Sequence, residues 1–221
     1  MPGFVLCHGW GYDAASLAPL AAELRARFPA HELLMHDLGL FGAARDAIGA
    51  AAARDDGGWI GVGHSYGFVL LAGAAAPRWR GLVAINGFLR FCRAPGRRTG
   101  ASPRAVDAML ARLEIDPAGC LADFRARCGL AGAAPTGAPD LAALIAHLRR
   151  LRDCDLAAPE APLLAIAADA DAIVTPDHAR AQFGTGQDLL MLAGDHLLPA
   201  TAPAICADAI ARFVGALPEP A

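Results

Sequence analysis

Residues 63–67 read Gly-His-Ser-Tyr-Gly. This is G-x-S-x-G, the pattern of a nucleophilic serine on a sharp turn between a strand and a helix. Glycine is needed on both flanks because bulk there would collide with the strand or the helix. The chain has only three serines. A serine hydroxyl alone is a poor nucleophile. It needs a base, and the base needs an orienting acid. His196, in Gly194-Asp195-His196-Leu197, is the expected base. It follows the last strand pattern, where a loop can fold back over the sheet, and it completes the order Ser, Asp, His. The other histidines have weaker claims. His8 and His64 flank candidate site loops, His31 and His36 flank a strand, and His147 and His178 fall on helices. The acid should follow an earlier strand. Either Asp169 or Asp171 can hold the imidazole; Asp171 is favoured, and Asp195 is assigned to its own turn. Acyl transfer also builds an oxyanion, which preorganised backbone N–H groups stabilise. Tyr66 N–H, just after the serine, is one expected donor. Trp10 N–H, in Cys7-His8-Gly9-Trp10-Gly11, is the other, and the Trp10 indole is expected to line the acyl pocket.

These residues need a scaffold. Short apolar runs at Phe4–Cys7, Glu32–Met35, Trp59–Val62, Leu82–Ile85, Leu163–Ile166 and Asp188–Leu192 read as strands. Most are nearly continuous hydrophobic runs, as in strands covered on both faces. Helical patterns separate them at Ser16–Phe28, Ala43–Arg54, Tyr66–Ala76, Pro176–Gln182 and Pro203–Val214. Such alternation predicts an α/β fold: a doubly wound, mainly parallel sheet of six strands. It breaks once. Residues 88–153 show no strand pattern, only helical stretches at Pro103–Glu114, Pro117–Cys128 and Pro139–Arg152. The expected organisation is a core of residues 1–87 and 154–221 with a helical cap, 88–153, inserted between the fourth and fifth strands.

Composition narrows the function classes. The chain has 221 residues, 55% hydrophobic and 19% charged, with a net charge of −3. That excludes a disordered polyelectrolyte and argues against nucleic-acid binding, which needs a basic excess. A spanning helix needs about 18 consecutive apolar residues, and the densest run, Phe68–Ala76, is too short. No signal peptide pattern opens the chain. Six scattered cysteines, without a CxxC pair, read as reduced thiols. The expectations are a cytoplasmic monomer without metal or organic cofactor. Every basic residue is arginine, and the charge is uneven: 88–153 holds eleven Arg against six acids, a net of +5, leaving −8 elsewhere. Either these are solvated helical faces or the region meets a negatively charged partner.

With HGWG at 8–11, GHSYG at 63–67, DAIV at 171–174 before Pro176 and GDH at 194–196, the chain resembles the α/β-hydrolase superfamily. It looks like a trimmed member, six strands where eight are common. Ala168 and Phe68 stand where many relatives have glycine. Within the superfamily it is most similar to the BioH-type carboxylesterases, which demethylate pimeloyl-acyl carrier protein methyl ester in biotin synthesis. That likeness rests on HGWG followed by Tyr12-Asp13, a cap read as four segments, and Leu151–Leu156 before Pro162. It implies a serine carboxylesterase with Ser65, Asp171 and His196 as the triad. It also implies cap arginines that hold an acidic carrier protein: Arg90, Arg93, Arg97 and Arg98, with Arg104 beside them. Alternatives are a generic esterase, a thioesterase or a carbon–carbon bond hydrolase of the same fold, and a non-catalytic binding protein. The intact set of chemical groups argues against the last.

Overall fold

The structure, a computed structural model, describes residues 3–54, 58–129, 134–184 and 189–218. Six strands form one sheet: β1 (Gly3–Cys7), β2 (Glu32–His36), β3 (Trp59–His64), β4 (Gly81–Ile85), β5 (Leu163–Ala168) and β6 (Leu189–Leu192). Their order is β2-β1-β3-β4-β5-β6, and every neighbouring pair is parallel. All six predicted strands are present, and Asp188 lies outside the described residues. The chain winds from β1 to β2 in one direction and from β3 to β6 in the other. The carboxyl ends of β1 and β3 therefore flank the point where winding reverses, the place where open α/β sheets put ligands. Cys7 at the end of β1 pairs in register with Gly63.

The helices are α1 (Ala18–Arg27), α2 (Ala47–Ala52), α3 (Tyr66–Ala72), α4 (Pro103–Ile115), α5 (Pro117–Cys128), α6 (Leu141–Asp153), α7 (Pro176–Phe183), α8 (Leu198–Thr201) and α9 (Pro203–Ala216). Local chemistry starts them. Asp46, Asp116, Asp140 and Thr175 accept backbone N–H bonds at the starts of α2, α5, α6 and α7, which satisfies N–H groups that the helix leaves unpaired. Proline, which lacks an N–H to satisfy, begins α4, α5, α7 and α9. Two elements are shorter than their patterns predict. The Ala43–Arg54 pattern yields only α2, because Asp37 and Arg45 exchange backbone hydrogen bonds that keep the chain extended. The Ser16–Phe28 pattern splits into a 3-10 turn at Ala14–Leu17, capped by Asp13, and then α1.

Alternate side chains of each strand enter opposite layers, as the strand repeat requires. Phe4, Leu6, Ile60, Val62, Val83 and Ile85 pack with Leu20 and Leu24 of α1 and Ile210 of α9. Val5, Cys7, Leu82 and Ala84 pack with α2 and α3. This second layer does not stop at the sheet. It runs on into Val106 and Leu113 of α4, Leu121 of α5, and Leu144, Leu148 and Leu151 of α6. Among its described residues, the segment between β4 and β5 thus comprises three helices, preceded by a loop closed by a Cys92–Ala101 bridge, and shares a core with the sheet. No helix among the described residues is long and apolar enough to cross a membrane.

A shared core predicts shared unfolding. Leu148→Ala should cost about 2–5 kcal/mol, the usual loss for a buried leucine, and leave a single transition in urea. Two separated transitions, with only the first shifted, would show α4–α6 to be an independent unit.

Candidate active site

Ser65 stands between β3 and α3 with φ 53° and ψ −123°. An L-residue occupies that region only when its surroundings enforce it. Two glycines permit the turn. A Cβ added at Gly63 would lie 2.3 Å from Phe68 Cα, and one at Gly67 would lie 2.2 Å from the Cys7 carbonyl oxygen. The turn is also tied to β4, since Ser65 N–H donates to Ile85 O at 2.9 Å. Phe68 finds its space across the contact. Gly87 lies against it, and a Cβ at Gly87 would come within 2.9 Å of Phe68 Cβ.

The loops after β5 and β6 bring two further groups to this turn. His196 Nε2 is 3.0 Å from Ser65 Oγ, and His196 Nδ1 is 2.7 Å from Asp171 Oδ2. Ser65, Asp171 and His196 are 5%, 3% and 1% exposed. Asp171 Oδ1 accepts from Ile173 N–H at 2.7 Å and Val174 N–H at 2.9 Å, which holds the carboxylate for Nδ1–H. The imidazole proton belongs on Nδ1, and Nε2 is left to accept from the serine hydroxyl. Asp169 is exposed and accepts from Gly194 N–H at 3.1 Å; it bonds the loop, not the imidazole. Asp195 caps its own turn at Leu197 N–H.

Three side chains with no predicted role hold these loops. Asn86 (φ 47°) follows β4; its Nδ2 donates to Asp195 O at 3.0 Å, and its Oδ1 accepts from Ala168 N–H at 2.8 Å. In sequence it is only half of an Asn-Gly turn signal. His64 Nε2 donates to His196 O at 2.7 Å. His8 accepts from Leu38 N–H on Nε2 at 3.1 Å, which leaves Nδ1–H to donate to Gly9 O at 2.9 Å. C=O and N–H of a trans peptide point oppositely, so fixing Gly9 O aims Trp10 N–H the other way. Among the described residues, neither Trp10 N–H nor Tyr66 N–H has an acceptor within the protein.

The Trp10 indole does not line an open pocket. It is buried, donates to Leu144 O at 2.9 Å and meets Phe124 edge-on at 4.9 Å. A cavity of about 250 Å³ lies beyond Phe124, walled by Phe91, Val106, Met109, Phe124 and Ile173, with Arg127 among its polar groups. Ser65 is not part of its wall. The predicted arginines divide. Arg90 pairs with Asp155. Arg93, Arg97, Arg98 and Arg104 are exposed and carry no ion pair among the described residues. Arg125, unremarked in sequence, is half-buried, lies over the Phe41 ring and donates to Gly11 O. The described residues include no metal-binding cluster.

No family model matches the chain, and no curated protein matches it. Solved structures do. An esterase from Exiguobacterium antarcticum superposes with a TM-score of 0.81 at 12% identity, covering 98% of this chain and 92% of that one. A hydrolase from Oleispira antarctica gives 0.73 at 14% identity, covering 98% and 92%. The chain has the α/β-hydrolase fold. An enol-lactonase from Burkholderia xenovorans shares this fold, with a TM-score of 0.66 at 20% identity over 97% and 91% of the two chains. On the α/β-hydrolase fold of this chain, the turn after β3 and the loops after β5 and β6 meet at one end of the sheet.

His64 carries a pH dependence. Burial, with the His196 ring beside it, pushes its pKa down from 6.5 to about 3. Between those values the unfolded chain holds a proton that the folded chain does not, so stability falls as pH drops from 6.5 toward 3. Urea unfolding at pH 7 and 4.5 should show wild type losing about 2 kcal/mol more than His64→Gln, which keeps an N–H donor. Equal losses would remove His64 as the source.

Proposed function

We propose that the protein is a serine hydrolase that cleaves carboxylic esters through an acyl-enzyme. The observation that carries this reading is the hydrogen-bonded line from Ser65 through His196 to Asp171 at the β1/β3 end of the sheet. Ser65 Oγ attacks the ester carbonyl while its proton passes to His196 Nε2. Asp171 holds the ring and stabilises the imidazolium. Trp10 and Tyr66 N–H groups bind the oxyanion. As the carbonyl re-forms, the ester C–O bond breaks and His196 gives its proton to the leaving alcohol. Water then attacks the acyl-enzyme by the same route, releasing the acid and restoring the Ser65 hydroxyl. That structural neighbours include an esterase and an enol-lactonase favours acyl-oxygen bonds as the target.

For the substrate, the proposal is an ester carried on an acidic carrier protein, with the methyl ester of carrier-bound pimeloyl as the first candidate. Its support is the motif resemblance and the exposed arginines at 93, 97, 98 and 104, which carry no ion pair among the described residues. Arg90, held by Asp155, is not among the groups assigned to the carrier.

Ser65→Ala should lower kcat on p-nitrophenyl butyrate by about a thousandfold or more and abolish labelling by a fluorophosphonate. A loss under about tenfold would remove Ser65 as nucleophile. Asp171→Asn should cost far more than Asp169→Asn, and the reverse order would reassign the acid.

Arg97→Glu with Arg98→Glu should raise KM for the carrier-linked methyl ester by about tenfold and leave p-nitrophenyl butyrate unchanged, with salt weakening only the carrier reaction. No wild-type release of methanol from that substrate, in a preparation that cleaves p-nitrophenyl butyrate, would discard the carrier and keep the esterase.

A further inference from the structure

Two side chains join the oxyanion loop and the serine turn to helix α6. Trp10 Nε1 donates to Leu144 O at 2.9 Å. The Tyr66 hydroxyl lies 3.2 Å from His147 Nδ1, with the two rings edge to face at 5.7 Å. Positions 144 and 147 are three apart and share one face of α6. Burial pushes the Tyr66 phenol up and the His147 imidazole down. The phenol therefore keeps its proton and donates it to a neutral ring. Trp10 and Tyr66 are both buried, where water competes little for such bonds. Among the described residues, neither backbone N–H has an acceptor.

We propose that helix α6 sets the oxyanion hole, the Leu144 carbonyl holding Trp10 and the His147 ring holding Tyr66, and that His147 is a positioning residue for acyl transfer. The inference rests on the serine-hydrolase reading above. Its physical basis is that oxyanion donors work by being aimed before charge develops, and a donor on a turn keeps its aim only if the residue is anchored. Helix α5 adds to the hold: Arg125 Nε donates to Gly11 O at 3.1 Å, and Phe124 stands against the Trp10 ring. Displacing α6 would misalign both donors together. Contacts made on that helix then act on turnover and not only on access.

The test compares wild type, Tyr66→Phe, His147→Leu, His147→Gln and the Tyr66→Phe/His147→Leu pair on p-nitrophenyl acetate and butyrate, with Ser65→Ala as the blank. Glutamine at 147 keeps an acceptor for the phenol. Expected for Tyr66→Phe and His147→Leu is a loss in kcat of about 5- to 30-fold on both esters, with KM changed less than about twofold. The pair should be no worse than the poorer single variant, and His147→Gln should recover most of the rate. A change in KM confined to the longer ester, additive losses, or no recovery by glutamine would overturn the proposal. Hydrogen exchange over residues 8–13 and 63–68 gives a readout independent of turnover. Faster exchange in His147→Leu but not in His147→Gln supports the tether, and unchanged exchange in both overturns it. Absence of any Ser65-dependent turnover in wild type would overturn the hydrolase reading and leave the tether to the exchange result.

Discussion

The close approach of the β3–α3 turn to the end of β1 governs the rest of the molecule. Gly67 lies so near the Cys7 carbonyl that no side chain fits between them. That contact brings the turn against the first loop and places Ser65 in its positive-φ conformation beside Gly9. It is possible only because β1 and β3 are neighbours, which in turn requires the chain to reverse its winding between them. Sheet order, glycine placement and the position of a hydroxyl at the strand ends are one constraint seen at three scales.

Around that contact the site is assembled from loops, and loops lack the repeating hydrogen bonds that fix strands. Side chains take over that task here. Asn86 grips the carbonyl before His196, His64 grips the carbonyl of His196 itself, and His8 grips Gly9. Each bond is buried or partly so, where an unmet polar group costs more than a met one contributes. The result is a set of polar groups whose positions are fixed by the protein itself.

The strands were legible in sequence because both sheet faces are covered, so each strand is an apolar run bounded by turn residues. The places of Ser65 and His196 were legible for different reasons: the motif around Ser65 encodes a backbone requirement, and His196 follows the last strand in the order Ser, Asp, His. Asp171 was less so, since Asp169 has the same type and nearly the same place. What separates them is the pair of N–H groups at Ile173 and Val174, a matter of loop geometry. Asn86, His64 and Arg125 carried no readable role because their partners lie far along the chain. The same limit applies to Arg90, whose charge is taken up by Asp155 sixty-five residues on. Helix α2 fell short of its periodic pattern because a backbone exchange between Asp37 and Arg45 overrode local preference.

The exchange of bulk between Phe68 and Gly87 reaches beyond this one chain. A large ring after the serine turn is tolerated because the facing strand end has surrendered its own side chain. Neither site is free to vary alone. Enlarging residue 87 would need a smaller residue at 68, and the two should drift through evolution as a linked pair. A search pattern that insists on a small residue just after the turn would pass over chains of this kind, while one that accepts smallness on either side of the contact would retrieve them.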